Sequence, residues 1–260
     1  MTLTQSRPAD AYLRPPPAAL AGPTTASTRR TASLVGLLFL AATVTFILAD
    51  KLITGVLQNP AYLTTAFAHT NALATGAMLG LVEGPATVGI AVLLFPLLKR
   101  DSEPMALAYV GLRIAELAAA LLYVATPLLV MKVGAAVHNR SLDASMSHQL
   151  GALFQAQHSI AIVLIYLLTA VAGTILAILL YRSQLIPRPL AILGLVGYPV
   201  LLAGGVLSLF NAVDVTHGVG LLASVPGGLF ELILPIRLFT KGFTFGADRE
   251  SCQAQDQRLW

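Results

Sequence analysis

Charge is what this sequence has least of. Only 11% of its 260 residues are Asp, Glu, Lys or Arg, against roughly 25% in a soluble domain. Too few ionised groups are present to cover a water-facing surface, so a soluble globular domain is excluded. Cysteine is nearly absent as well. Cys252 is the one thiol, which excludes an intramolecular disulfide framework and a cysteine-based metal cluster. The histidines, His69, His138, His148, His158 and His217, are never three or four apart, and no HExxH-type ligand pattern occurs. A Gly-x-Ser-x-Gly elbow, a Walker loop and a dinucleotide fingerprint are also missing. The sequence therefore gives no reason to expect a catalytic residue, a metal site or a cofactor.

What is there in quantity is apolar. Hydrophobic residues make up 56% of the chain, and the mean hydropathy is +0.78. The fold class this implies is an all-α polytopic membrane bundle. Six apolar segments approach the ~20 residues a spanning helix needs. They lie at 31–49, 72–98, 105–131, 158–181, 190–210 and 219–240. The predicted organisation is a disordered tail over 1–30, a transmembrane domain over 31–243 and a polar tail over 244–260. The tail assignment at the start rests on Pro8, Pro15, Pro16, Pro17 and Pro23 among Ser, Thr and Ala, without apolar periodicity. Arg29-Arg30 precedes the first apolar run, but Thr31-Ala32-Ser33 and the lack of a cleavage site favour an uncleaved helix.

The net charge of +4 does not point to nucleic acid, because the basic residues sit at the ends of apolar segments. Their distribution instead predicts orientation. With the first tail inside, the inner side collects Lys99, Arg100, Arg182, Arg188, Arg237, Lys241 and the basic residues of both tails. The opposite side holds Lys51, Lys132 and Arg140. The expected topology is six transmembrane helices, N-in and C-in.

Four ionisable residues interrupt the apolar spans: Glu83, Arg113, Glu116 and Glu231. On a helix Arg113 and Glu116 share a face. Steps of three and four extend that face through Tyr109, Ala120, Tyr123 and Pro127. At ~1.5 Å per residue, Glu83, Glu116 and Glu231 each lie about 17–18 Å from a helix end and Arg113 about 12 Å, all near the middle of a ~30 Å core. Charge at that depth costs roughly 2.5–3.5 kcal/mol per group, so these side chains are expected to face protein or water. Gly76, Gly80 and Thr87 flank Glu83 on one face, and Gly220, Ser224 and Gly227 lead to Glu231 on another. Small residues of this kind let helices pack closely. A weaker polar line in the fourth span runs His158, Tyr166, Thr169, Gly173. Tyr109, Tyr123 and Thr87 are the supporting polar residues, although Tyr123 is also placed to anchor at a membrane interface.

One arginine cannot neutralise three carboxylates. Either one or two of the glutamates carry a proton, or a cation occupies the site. Three readings stay open: a proton- or cation-linked small-solute transporter, a non-catalytic scaffold or regulatory protein whose charges only fix helix packing, and, third, a membrane enzyme, for which the sequence offers no nucleophile or metal motif. Glu83-Gly84-Pro85 and Gly197-Tyr198-Pro199 would interrupt corresponding helices of two inverted halves, which leans toward transport. The expected partners are the lipid bilayer and, on the first reading, a small solute with a proton or cation.

Four stretches carry a family resemblance. LLFPLLKR (Leu93 to Arg100), ALAYVGLRIAE (Ala106 to Glu116), LLYRSQLIPRPLAILGLVG (Leu179 to Gly197) and ELILPIRLFTKGF (Glu231 to Phe243) resemble the DUF4386 family of uncharacterised bacterial integral membrane proteins. The resemblance runs from about Arg30 to Phe243. It implies a multi-helix protein of a bacterial plasma membrane and supplies no activity or substrate. The family pattern carries the residues matching Arg113, Glu116, Arg188 and Glu231. This chain departs from it at Pro189 and Arg237, where aromatic residues are usual.

Overall fold

The computed structural model describes residues 25–59, 61–214 and 218–244. The described residues form seven α-helices and a short 3-10 helix, with no strand among them. The helices are α1 (Thr25–Leu57), α2 (Tyr62–Thr65), α3 (Thr70–Leu98), α4 (Glu103–His138), α5 (Ala144–Ser183), α6 (Arg188–Leu209) and α7 (Val225–Lys241); the 3-10 turn Gly218–Ala223 precedes α7. Five of them, α1, α3, α4, α5 and α6, are long and apolar enough to cross a membrane.

Several sequence expectations change. The sixth segment, expected over 219–240, divides into the 3-10 turn and α7, whose 17 residues reach about 25 Å. Pro226 is the cause. It sits in the first turn of α7, where its fixed φ favours initiation and its missing N–H prevents the helix from running further back. In contrast, α1 starts at Thr25 and continues to Leu57, so Asp50 and Lys51 lie inside it rather than at its end. A charged pair does not stop a helix; the next true stop signal is Asn59-Pro60. The segment from His148 to Gln157, expected as a lead-in, belongs to the 40-residue α5, which Asp143 caps by accepting from the Ser145 N–H at 3.3 Å. The expected tails lie outside the described residues up to position 24 and from 245 onward.

The prolines do not break their helices. α3 runs through Pro85 and α6 through Pro199, contrary to the expected interruptions. Both prolines are exposed, and buried Pro127 leaves α4 equally continuous; each ring removes a single backbone bond from a helix that its packing holds together.

The five long helices and α7 close into a ring. α1 packs on α3, α3 on α4, α4 on α5, α5 on α6, α6 on α7, and α7 returns to α1. The core inside the ring has two apolar layers. One, near the end carrying Lys99, Arg182 and Lys241, includes Phe39, Leu94, Leu176 and Leu234. The other, toward α2, includes Ile53, Leu73, Val130 and Phe154. A polar layer separates them.

α4 and α5 outreach the rest. Their 36 and 40 residues correspond to about 54 and 60 Å. α2 packs against the overhanging hairpin. There the Tyr62 hydroxyl donates to the Gly151 carbonyl, and Gln155 Nε2 donates to the Leu57 carbonyl at 2.8 Å. Burial pushes the Tyr62 phenol up to about 12.

Candidate functional site: a polar cavity between two apolar layers

The site begins with the inward face of α4. Tyr109, Arg113, Glu116, Ala120, Tyr123 and Pro127 are all buried, as expected of side chains repeating every three or four residues. Arg113 and Glu116 are each 2% exposed. Arg113 Nη1 donates to Glu116 Oε2 at 2.7 Å and to Oε1 at 3.0 Å. Its Nε donates to the Tyr109 hydroxyl at 3.4 Å, and the guanidinium lies 5.4 Å from the Tyr109 ring centre. Thr169 of α5 donates to Glu116 Oε1 at 2.7 Å. Glu116 is therefore paired along its own helix and tied to the next.

Glu231 of α7 makes no ion pair within 4.0 Å among the described residues; hydroxyls hold it. Tyr198 of α6 donates to its Oε1 at 3.1 Å and Thr43 of α1 to its Oε2 at 3.3 Å. The Tyr198 ring reaches this position by lying across Gly173 of α5, where an added Cβ would come within 2.3 Å of the ring. Gly197 lets α6 and α7 cross backbone to backbone, since a Cβ there would sit 2.6 Å from the Gly227 nitrogen.

Glu83 of α3 differs from both. It is 5% exposed, and its carboxylate makes no hydrogen bond or ion pair with any described residue. Neighbouring Thr87 turns its hydroxyl back to the Gly84 carbonyl at 2.8 Å.

These side chains surround one cavity of about 190 Å3. Glu83, Arg113, Glu116 and Glu231 all line it, with Thr87, Thr43, Tyr166, Thr169, Tyr198 and Ser224. Every helix of the ring contributes. Three carboxylates thus face one guanidinium in its wall. Of the supporting residues named from sequence, Thr87 lines the cavity and Tyr109 touches Arg113. Tyr123 does neither. It is 1% exposed and packs in the apolar layer beyond, which also rules out a membrane-interface anchor, because α4 runs well past it.

Sequence reasoning missed Thr43, Thr169 and Tyr198 as carboxylate partners. Thr169 was visible on the polar line of α5 but had no carboxylate assigned to it. Tyr198 read as part of a Gly-Tyr-Pro break, although a tyrosine in mid-helix, far from either interface, is itself a signal for a buried acceptor. Thr43 carried no signal beyond being a hydroxyl in an apolar run.

The sequence model of a family described as a domain of unknown function, DUF4386, matches residues 34–242. No curated protein and no solved structure matches the chain.

Proposed function

The chain belongs to the DUF4386 family, and because that family has no known function we propose a role from the geometry: the cavity binds a proton or small cation in a small-solute transporter of the bacterial plasma membrane. The observation that carries this reading is Glu83, a carboxylate more than nine-tenths buried that lines the cavity with no partner among the described residues. An isolated ionised carboxylate in a low-dielectric interior is prohibitively costly. With Arg113 already committed to Glu116, a proton or a bound cation must balance Glu83 and Glu231. Buried ionisable groups of this kind are the usual apparatus of ion-coupled transport. A cavity of about 190 Å3 has room for several waters at ~30 Å3 each, or for a small organic cation.

In the same proposal α7 and the 3-10 turn before it form a sixth crossing. The ring closure of α1 against α7 supports it. The basic residues, concentrated at the end holding Lys99, Arg182 and Lys241, support an N-in, C-in orientation.

A second reading has its own observation. Glu116 bridges α4 to α5, and Glu231 bridges α7 to α6 and α1, so both could serve as packing ties in a scaffold or regulatory protein. A thermal-shift screen of solutes and alkali cations across several pH values separates the two. On the transport reading Glu83→Gln folds like the parent and loses a pH-dependent ligand stabilisation. On the scaffold reading no ligand stabilises the parent at any pH, and Glu231→Gln lowers the melting temperature throughout.

A further inference from the structure

A second polar group lies beyond the cavity, toward the end where α1 meets α2. His158 of α5 is 6% exposed, and neither ring nitrogen has a hydrogen-bond partner among the described residues. Its ring lies against Tyr123 of α4, with centroids 5.0 Å apart. Thr126, one turn further along α4, is fully buried, and its hydroxyl has no partner among the described residues. Leaving such groups unmet costs about 1–3 kcal/mol each. Buried polar groups that converge without protein partners are the setting in which proteins hold internal water.

This group connects to the cavity. Asp50 of α1 interacts electrostatically with both Tyr123 and Tyr166. Phe46, one turn before it, contacts the same two rings at 6.0 and 6.1 Å between centroids. Tyr166 lines the cavity, and Glu83 of α3, which lines it too, interacts electrostatically with Tyr123. The order along each helix agrees. α1 passes from Thr43 to Asp50, α4 from Glu116 to Tyr123 and Thr126, and the antiparallel α5 from Thr169 through Tyr166 back to His158. The step from Glu116 to Tyr123 is about 10 Å and that from Tyr166 to His158 about 12 Å, each short enough for one or two waters to bridge. On the other side of Glu116 stands Arg113, backed by Tyr109 and an apolar layer. A fixed positive charge there opposes entry of a proton from the basic end.

We propose that His158, Tyr123, Asp50 and Tyr166 form a hydrated proton path from the cavity carboxylates to the end of the molecule opposite the basic turns. Each ring or hydroxyl can accept a proton on one lone pair and release one from another position, so a proton moves along without net change in the path. The proposal rests on the reading of the cavity as a protonatable site.

The test is hydrogen–deuterium exchange of the protonated carboxyl groups, followed by infrared spectroscopy on the full chain in lipid nanodiscs as H2O buffer is replaced by D2O. The carboxyl band is assigned by its loss in Glu83→Gln or Glu231→Gln. Its deuteration is expected to slow severalfold in Tyr123→Phe and His158→Phe and to keep the parent rate in Tyr181→Phe. Parent-like rates in both path variants would overturn the path and leave the cavity reading standing. A parent with no such band, or a band untouched by both glutamate variants, would overturn the cavity reading and the path with it. Should His158→Phe fail to fold, Tyr123→Phe, which removes one oxygen, decides the matter.

Discussion

At the scale of single residues, the pairing of Arg113 with Glu116 decides how the other carboxylates behave. Removing one member of a buried pair strands the other and costs about 3–5 kcal/mol, whereas replacing both by apolar residues of similar volume is often neutral. Arg113→Met is therefore expected to lower the melting temperature sharply, and Arg113→Met combined with Glu116→Leu to recover most of the loss. Melting in detergent checks both. Recovery by the double variant separates a local electrostatic penalty from a packing defect, which a second large substitution would deepen. The hydroxyl partners are weaker: hydrogen bonds between membrane helices average about 0.6 kcal/mol, so Tyr198 and Thr43 position Glu231 more than they stabilise the bundle. The identity of the four charges lining the cavity was legible in the sequence because a charge in an apolar run has no other explanation. Their partners were not, because hydroxyls in apolar helices are common and only the packing says which of them meets a carboxylate.

At the scale of elements, helix α6 is placed by what its neighbours lack. Tyr198 occupies the space left by the missing side chain of Gly173. Gly173→Ala is expected to cost about 1–3 kcal/mol as an overpacked contact and to loosen the bond from Tyr198 to Glu231. In a Tyr198→Ala background most of that penalty should vanish, a coupling that a double-mutant cycle of melting measurements reads directly. Sequence periodicity located the helices well in their middles and poorly at their ends. It stopped α1 at a charged pair that the helix passes through, and it detached the first part of α5 because that part is polar on one side. It also took Pro85 and Pro199 as breaks, when each removes a single backbone bond from a helix that packing holds together, as buried Pro127 does in α4. Pro226 had the opposite effect, because it falls where α7 begins. The residue type was legible in all three cases; whether packing carries the helix past it was not.

At the scale of the whole molecule, the ring of six helices is the feature no local pattern announces, because it depends on which helix closes against which. The orientation proposed for it is open to a direct check. With Cys252 replaced by Ser, single cysteines at Glu103 and Ser141 should respond differently to a membrane-impermeant maleimide added to intact cells. The Ser141→Cys variant should be labelled and the Glu103→Cys variant protected until the cells are lysed; the reverse pattern would invert the topology. The ring also closes between α1 and α7, the first and last of its helices to leave the ribosome. Until α7 emerges, the carboxylates of α3 and α4 face an open side with no wall, and α7 itself, short and carrying Glu231, has nowhere favourable to wait. Closure of the ring is thus expected to wait for its last helix. A chain stalled before Val225 should be recognised by membrane quality control as an exposed-charge intermediate rather than persist as a stable five-helix form.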